Sequence, residues 1–181
     1  LATTLAEVRN HCDVLLVVGN DPTPVFGRLF ERLFPDSPLF AGERRKVIFL
    51  GGAPGSRAAG QLGRAEVSSL PTGDLTEALA ALASLVAGRT LAGESFGGAP
   101  TADLAAAATA LKAAKYAVVT WNAAELEEGD LVAERATAIV DALNVTTRAG
   151  VFPLGGRDNI IGLNQMMLWR LGYPLRTAIR C

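Results

Sequence analysis

Short apolar runs alternate along this chain with longer stretches in which apolar residues recur every three or four positions. That is the pattern of strands buried in a parallel sheet and of helices packed against it. The clearest strand is Val14-Leu15-Leu16-Val17-Val18, which ends in Gly19-Asn20-Asp21-Pro22. A helix is expected next, with Thr23 as its cap, Pro24 in its first turn, and Phe26, Leu29, Phe30 and Leu33 on its inner face. Val47-Ile48-Phe49-Leu50 is the second strand, and it ends in Gly51-Gly52-Ala53-Pro54-Gly55. A short extended piece near Ala65 to Leu70 follows. Asp74, with Glu77 three residues on, then opens a helix whose face is Leu75, Leu79, Leu82 and Val86.

Residues 88–100 are rich in Gly, Pro and small polar types and read as a loop. Beyond it Thr101 caps an Ala-rich helix to about Ala114, Tyr116 to Thr120 is a strand, and Asp130 opens a helix with Val132, Ala136, Ile139, Val140 and Leu143 on one face. Val145 to Phe152 reads as a strand leading into Pro153-Leu154-Gly155-Gly156. A last helix runs from about Asn159 to Leu171 and stops at Gly172-Tyr173-Pro174. The alternation predicts an α/β fold: a Rossmann-like parallel sheet with helices on both faces, in two β-α halves, residues 1–95 and 96–181, of one compact unit.

Composition narrows the class. Half of the 181 residues are hydrophobic, enough for a real core. Mean hydropathy is +0.28, yet no apolar run reaches the ~18 residues a membrane helix needs. No signal peptide opens the chain, which begins on Leu1 in residues that already read as helix, as an internal piece of a longer polypeptide would. Net charge is -1, and Arg44-Arg45-Lys46 is the one basic cluster, expected to be a solvated loop before a strand. Nucleic-acid binding would need a basic stripe, so neither nucleic acid nor membrane is expected as a partner. Cys12 and Cys181 match no metal spacing and suit reduced thiols in a cytoplasmic protein.

In open α/β sheets, ligands bind beyond the carboxyl ends of the strands. Three loops fall there: Gly19 to Thr23, Gly51 to Gly55, and Gly155 to Asn159. Glycine lets a backbone approach a ligand, and a following helix offers free N–H groups to anions. The same residues also make a tight turn and a helix cap. Neither G-x-G-x-x-G nor the P-loop signature is present. No catalytic residue and no metal ligand emerges. His11 stands beside Cys12 and Asp13 before a strand, and Glu125, Glu127 and Glu128 read as a solvated acidic run. In the last helix the amides Asn164 and Gln165 lie with Trp169 among apolar residues, fitting either an interior contact or a polar contact to a ligand or a neighbouring polypeptide of a complex.

Taken together, the segments resemble a known family. His11 to Pro22 looks like the "A-D-hydrophobic-G-x-N-P" stretch of molybdopterin oxidoreductases. Asn159-Ile160-Ile161-Gly162-Leu163-Asn164-Gln165, followed by Trp169 and Gly172-Tyr173-Pro174, is similar to the "N-x-x-G-x-N-Q…W…G-Y-P" segment of the B subunits of formylmethanofuran dehydrogenases, and Ala113 to Val119 also fits those subunits. The resemblance implies an internal portion of a larger subunit. In the archaeal branch, that subunit holds a tungsten or molybdenum bis-pterin guanine dinucleotide and an iron–sulfur cluster and interconverts carbon dioxide and formate. In the bacterial branch, a formyltransferase/hydrolase complex moves a formyl group from tetrahydromethanopterin and releases formate, and its B subunit serves as a non-redox scaffold for the other subunits.

The cofactor-contacting positions that the resemblance and the loops together suggest are Gly19, Asn20, Asp21, Thr23, Gly51, Gly52, Gly155, Asn159 and Gln165. The oxidoreductases carry an acidic "D-P-R" type turn after the second strand, where this chain has Gly51-Gly52-Ala53-Pro54-Gly55. No acid is left there to hold a ribose hydroxyl or a guanine edge, which favours the bacterial branch, with no cofactor in this portion and molybdopterin guanine dinucleotide only under the redox reading. A third reading, a generic Rossmann-type nucleotide module, leaves the closing motif unexplained. Faces meant for the rest of a larger subunit would be exposed apolar patches here and would favour self-association.

Overall fold

A computed structural model of the chain describes residues 2–42, 44–155 and 160–174. Helix α1 (Leu5–His11) is followed by strand β1 (Val14–Val18), helix α2 (Leu29–Leu33), strand β2 (Lys46–Leu50), helix α3 (Ser56–Leu62), strand β3 (Glu66–Leu70) and helix α4 (Leu75–Val86). A two-residue hairpin, β4 (Ser95–Phe96) and β5 (Ala99–Pro100), leads into helix α5 (Thr101–Ala113). Strand β6 (Tyr116–Asn122), helix α6 (Gly129–Leu143), strand β7 (Arg148–Leu154) and helix α7 (Ile160–Leu171) complete the chain. The main sheet has the order β3-β2-β1-β6-β7 and is parallel throughout, as the α/β reading expects.

β1 shows why these runs become interior strands. All five of its residues are buried. Val14, Leu16 and Val18 join the core beneath α4, α5 and α6, whereas Leu15 and Val17 join the core beneath α1, α2 and α3. Successive side chains of a strand point to opposite faces, so a continuous apolar run fills both layers. The sheet changes direction between β1 and β6. From β1 the chain moves outward to β2 and β3, then returns to the other flank for β6 and β7, which opens a crevice at their carboxyl ends.

Several local expectations are corrected. The helix expected from Pro24 starts at Leu29, with Arg28 at its cap and no side-chain cap bond. Thr23 does not cap it, because its N–H and Oγ1 are both given to Asp21. α3 was not anticipated. Loop 88–100 holds the β4–β5 hairpin, and the cap of α5 is Pro100, not Thr101, whose hydroxyl donates to the Gly93 carbonyl at 2.6 Å. α6 begins at Gly129, with Glu128 at its cap. β7 begins at Arg148 rather than Val145, because the Asn144 side chain donates to the Val140 and Ala149 carbonyls and accepts the Ala149 N–H, closing a turn over 144–147.

Arg45 is the sharpest correction. It is 4 % exposed, not solvated. Its guanidinium donates to the carbonyls of Arg9 (3.1 Å), Leu33 (2.8 Å) and Pro35 (3.2 Å) and lies 4.4 Å from the Phe34 ring centroid. Two of those carbonyls belong to the closing turns of α1 and α2, where the partial charge is negative. Burial holds its pKa below the usual arginine value. Lys46 pairs with Glu66 at 2.9 Å.

Candidate functional site

Two of the three glycine-rich loops meet at the carboxyl end of the sheet. β1 runs into Gly19 and β2 into Gly51. The Gly19 N–H donates to the Leu50 carbonyl (2.8 Å), and the Gly51 N–H to the Leu70 carbonyl (2.9 Å), so each glycine prolongs the strand ladder by one bond. Their φ angles are +90° and +98°, a region that favours glycine. A Cβ on Gly52 would lie 2.7 Å from the Gly19 carbonyl oxygen, so the two turns touch backbone to backbone.

Asp21 fastens the turns together. Its carboxylate accepts the Thr23 N–H (2.8 Å), the Thr23 hydroxyl (2.9 Å) and the Gly55 N–H (2.8 Å). Behind this clasp Gln61 of α3 donates to the Gly27 carbonyl (2.7 Å) and accepts the Glu31 N–H (3.1 Å). Asp21 and Thr23, two of the expected cofactor contacts, therefore spend their polar atoms on the chain itself. Thr23 is buried and Asn20 is exposed.

Two leucines lie over the glycines. A Cβ on Gly19 would meet Leu126 Cδ2 at 2.9 Å, and one on Gly51 would meet Leu75 Cδ1 at 2.8 Å. Leu75 is the first residue of α4, and Leu126 follows the 3-10 turn Ala123–Glu125 after β6. Both also line an opening of about 410 Å3 walled by Asp74, Thr76, Glu125, Glu127 and Glu128. Thr76 donates to Glu128 across it at 2.6 Å, while Glu125, Glu127 and Glu128 are all exposed, as the solvated acidic run expects. Asp74 accepts the Glu77 N–H, the cap foreseen at the start of α4. Sequence reasoning named Asp74, Leu75, Val132 and the three glutamates singly, did not bring them together, and missed Thr76 and Leu126. The available signal was a lone leucine between two glutamates, at Leu126.

Gly155 and Gln165 do not join the pair of loops. Gly155 is half-buried at the end of β7, Gln165 is exposed on α7, and Asn159 lies outside the described residues. Trp169 is 78 % exposed, with Leu163, Met166, Leu171 and Tyr173 also open to solvent. Asn122, which was not foreseen, ends β6 opposite Leu154; it is buried, and its Oδ1 has no partner among the described residues.

His11 stacks on Phe40 with ring centroids 4.6 Å apart, at the opposite end of β1 from the crevice. Cys12 is buried beside it, its thiol pushed well above the usual range by burial and so unreactive. Gly93-Glu94-Ser95-Phe96-Gly97 spells G-x-S-x-G, a match the sequence reading overlooked. Ser95 sits in the β4–β5 hairpin, outside the main sheet, not on the strand-to-helix elbow such a nucleophile needs. No group of three or more His, Cys, Asp or Glu among the described residues could hold a metal ion. No helix among the described residues is long and apolar enough to cross a membrane.

No protein-family model matches the chain. It is 32 % identical to the B subunit of the formyltransferase/hydrolase complex Fhc of Methylorubrum extorquens, over 98 % of this chain and 45 % of the relative. It is 26 % identical to the B subunit of the tungsten-containing formylmethanofuran dehydrogenase 2 of Methanocaldococcus jannaschii, over 94 % of this chain and 40 % of the relative. Among solved structures it matches the crystal structure of the formyltransferase/hydrolase complex FhcABCD from Methylorubrum extorquens in complex with methylofuran. That match has a TM-score of 0.71 at 30 % identity and covers 96 % of this chain and 45 % of the other. The chain thus spans less than half the length of these relatives. The resemblance read from the sequence holds: this chain is a homologue of those B subunits along nearly all of its length.

Proposed function

We propose that this chain is the scaffold portion of a B-type subunit in a formyltransferase/hydrolase-like complex, working in the transfer and hydrolysis of a formyl group by holding partner subunits rather than by redox chemistry. The observation that carries the reading is the crevice filled from within. A pterin dinucleotide laid over Gly19 and Gly51 needs bare backbone, and here Leu126 and Leu75 lie against those glycines. Asp21 is spent on Thr23 and Gly55, and the turn after β2 has no acid for a ribose or guanine. The crevice residues do not fit that group. Its partners are the other subunits of such a complex.

The likeness to the tungsten-containing relative favours a second reading, in which the subunit keeps a metal–pterin centre. One measurement separates the two. Elemental analysis and guanine-nucleotide release from the purified native complex are expected to yield neither molybdenum nor tungsten nor nucleotide in stoichiometric amount. Stoichiometric metal with guanine dinucleotide would overturn the scaffold reading.

A further inference from the structure

The two edges of the sheet are finished differently. At β7 the edge is covered: Ala2 bridges Val151 in parallel, and the Thr3 N–H donates to the Val151 carbonyl at 2.9 Å. At the other edge β3 pairs only with β2 among the described residues. The Glu66 N–H donates inward to the Arg45 carbonyl (2.8 Å), and the Leu70 carbonyl accepts the Gly51 N–H (2.9 Å). Backbone groups alternate along a strand, so Glu66, Ser68 and Leu70 face β2, and Val67 and Ser69 turn N–H and C=O outward. The donors at either end are spent or missing, because the Ala65 N–H is given to the Leu62 carbonyl and Pro71 has none.

We propose that β3 is a self-association edge, on which a second copy of this chain lays its own β3 antiparallel about a two-fold axis at Ser68. This inference is independent of how the crevice is read. In that register Val67 of each copy exchanges both backbone bonds with Ser69 of the other, so every outward donor and acceptor of the two residues is paired. The neighbouring registers fail. An axis at Val67 sets Ser69 opposite Ala65, whose N–H is already committed, and an axis at Ser69 sets Val67 opposite Pro71.

The side chains agree with the Ser68 register. Glu66, the only charge on β3, meets Leu70 of the second copy, so no like charges face each other, and it is already paired with Lys46. Val67, 39 % exposed, is covered beside Ser69 of the second copy. On the other face a groove of about 220 Å3 runs between Ser68, Leu70 and the short side chains Ala106 and Ala107 of α5. An edge strand offering unpaired N–H and C=O groups is a template for another strand, and two-fold pairing closes it.

Sedimentation of the purified 181-residue chain should show a dimer. Val67→Pro removes only an outward-facing donor and so should fold with an unchanged circular dichroism spectrum. Its dimer dissociation constant should rise about tenfold or more. Ser68→Cys, made with Cys181→Ala, places two thiols across the axis as a non-hydrogen-bonded pair, with Cα atoms about 4.5 Å apart, and should give a covalent dimer on mild oxidation. Ser56→Cys at the start of α3 should not. A wild-type chain that sediments as a monomer, a dimer unweakened by Val67→Pro, or a dimer that Ser68→Cys fails to cross-link would each overturn the proposal. Should Val67→Pro fail to fold, the cross-link alone decides.

Discussion

The two ends of β1 each carry an aspartate that grips backbone amides, yet one end reads as pure structure and the other as a ligand site. At the amino end Asp13 accepts the N–H groups of Lys115 (2.8 Å) and Tyr116 (3.0 Å) and ties the start of β6 to β1. Nearby, Arg45 binds three carbonyls. At the carboxyl end Asp21 does for the β2–α3 turn what Asp13 does for β6. The chemistry is the same, a charge satisfied by backbone groups that would otherwise be orphaned. What differs is the company: positive-φ glycines and an adjoining acidic opening at one end, a buried arginine at the other. An acid in a ligand-binding loop is therefore not evidence of a ligand until its partners are known.

The comparison can be broken most sharply at Arg45. Arg45→Met keeps the apolar stem and leaves three carbonyls without a donor. We expect a loss of roughly 3 kcal/mol or more in urea unfolding, and a near-neutral result would show that this end is not built around the buried charge. Removing each aspartate comes next. Asp13→Ala and Asp21→Ala should each cost about 1–3 kcal/mol. A much smaller loss at Asp21 would mark it as a residue kept for something other than the clasp.

Gly19→Ala tests the packed glycines. The left-handed backbone alone should cost about 1–3 kcal/mol, with the contact to Leu126 added to it. Combining it with Leu126→Ala should recover the contact part only, and full additivity in a double-mutant cycle would argue that the leucine does not press on Gly19. The smallest effect lies in α1, where Thr4 and Glu7 form a capping box and hydrogen bonds from Thr4 hold the Glu7 pKa below its usual value of 4.5. A lowered folded value means that the box is fully present above that pH and lost as the pH falls through the folded value. The wild-type and Glu7→Gln stability curves should therefore converge only in acid, and curves parallel at every pH would contradict it.

Element type and order were largely legible from residue pattern alone. β1 and β2 could be read as fully buried because an unbroken apolar run suits only a strand covered on both faces. α4 announced itself through Asp74 and a 3.6-residue repeat. The glycine loops were correctly placed at strand ends, since a positive φ leaves a mark in the sequence that a contact does not. Boundaries failed where a side-chain hydrogen bond within a few residues decided them. Thr23 looked like a helix cap until Asp21 took its N–H, and Val145 looked like strand until Asn144 closed the turn.

Local periodicity, turn residues and the chain's own motifs thus determined an α/β homologue of the B subunits, because such signals depend on neighbours in sequence. Whether Arg45 would be buried, whether Asp21 would hold a ligand or Gly55, and whether Gly19 would face solvent or a leucine were settled only by folding. Each depends on at least one group more than 30 residues away in the chain, brought within a few ångströms by the order β3-β2-β1-β6-β7.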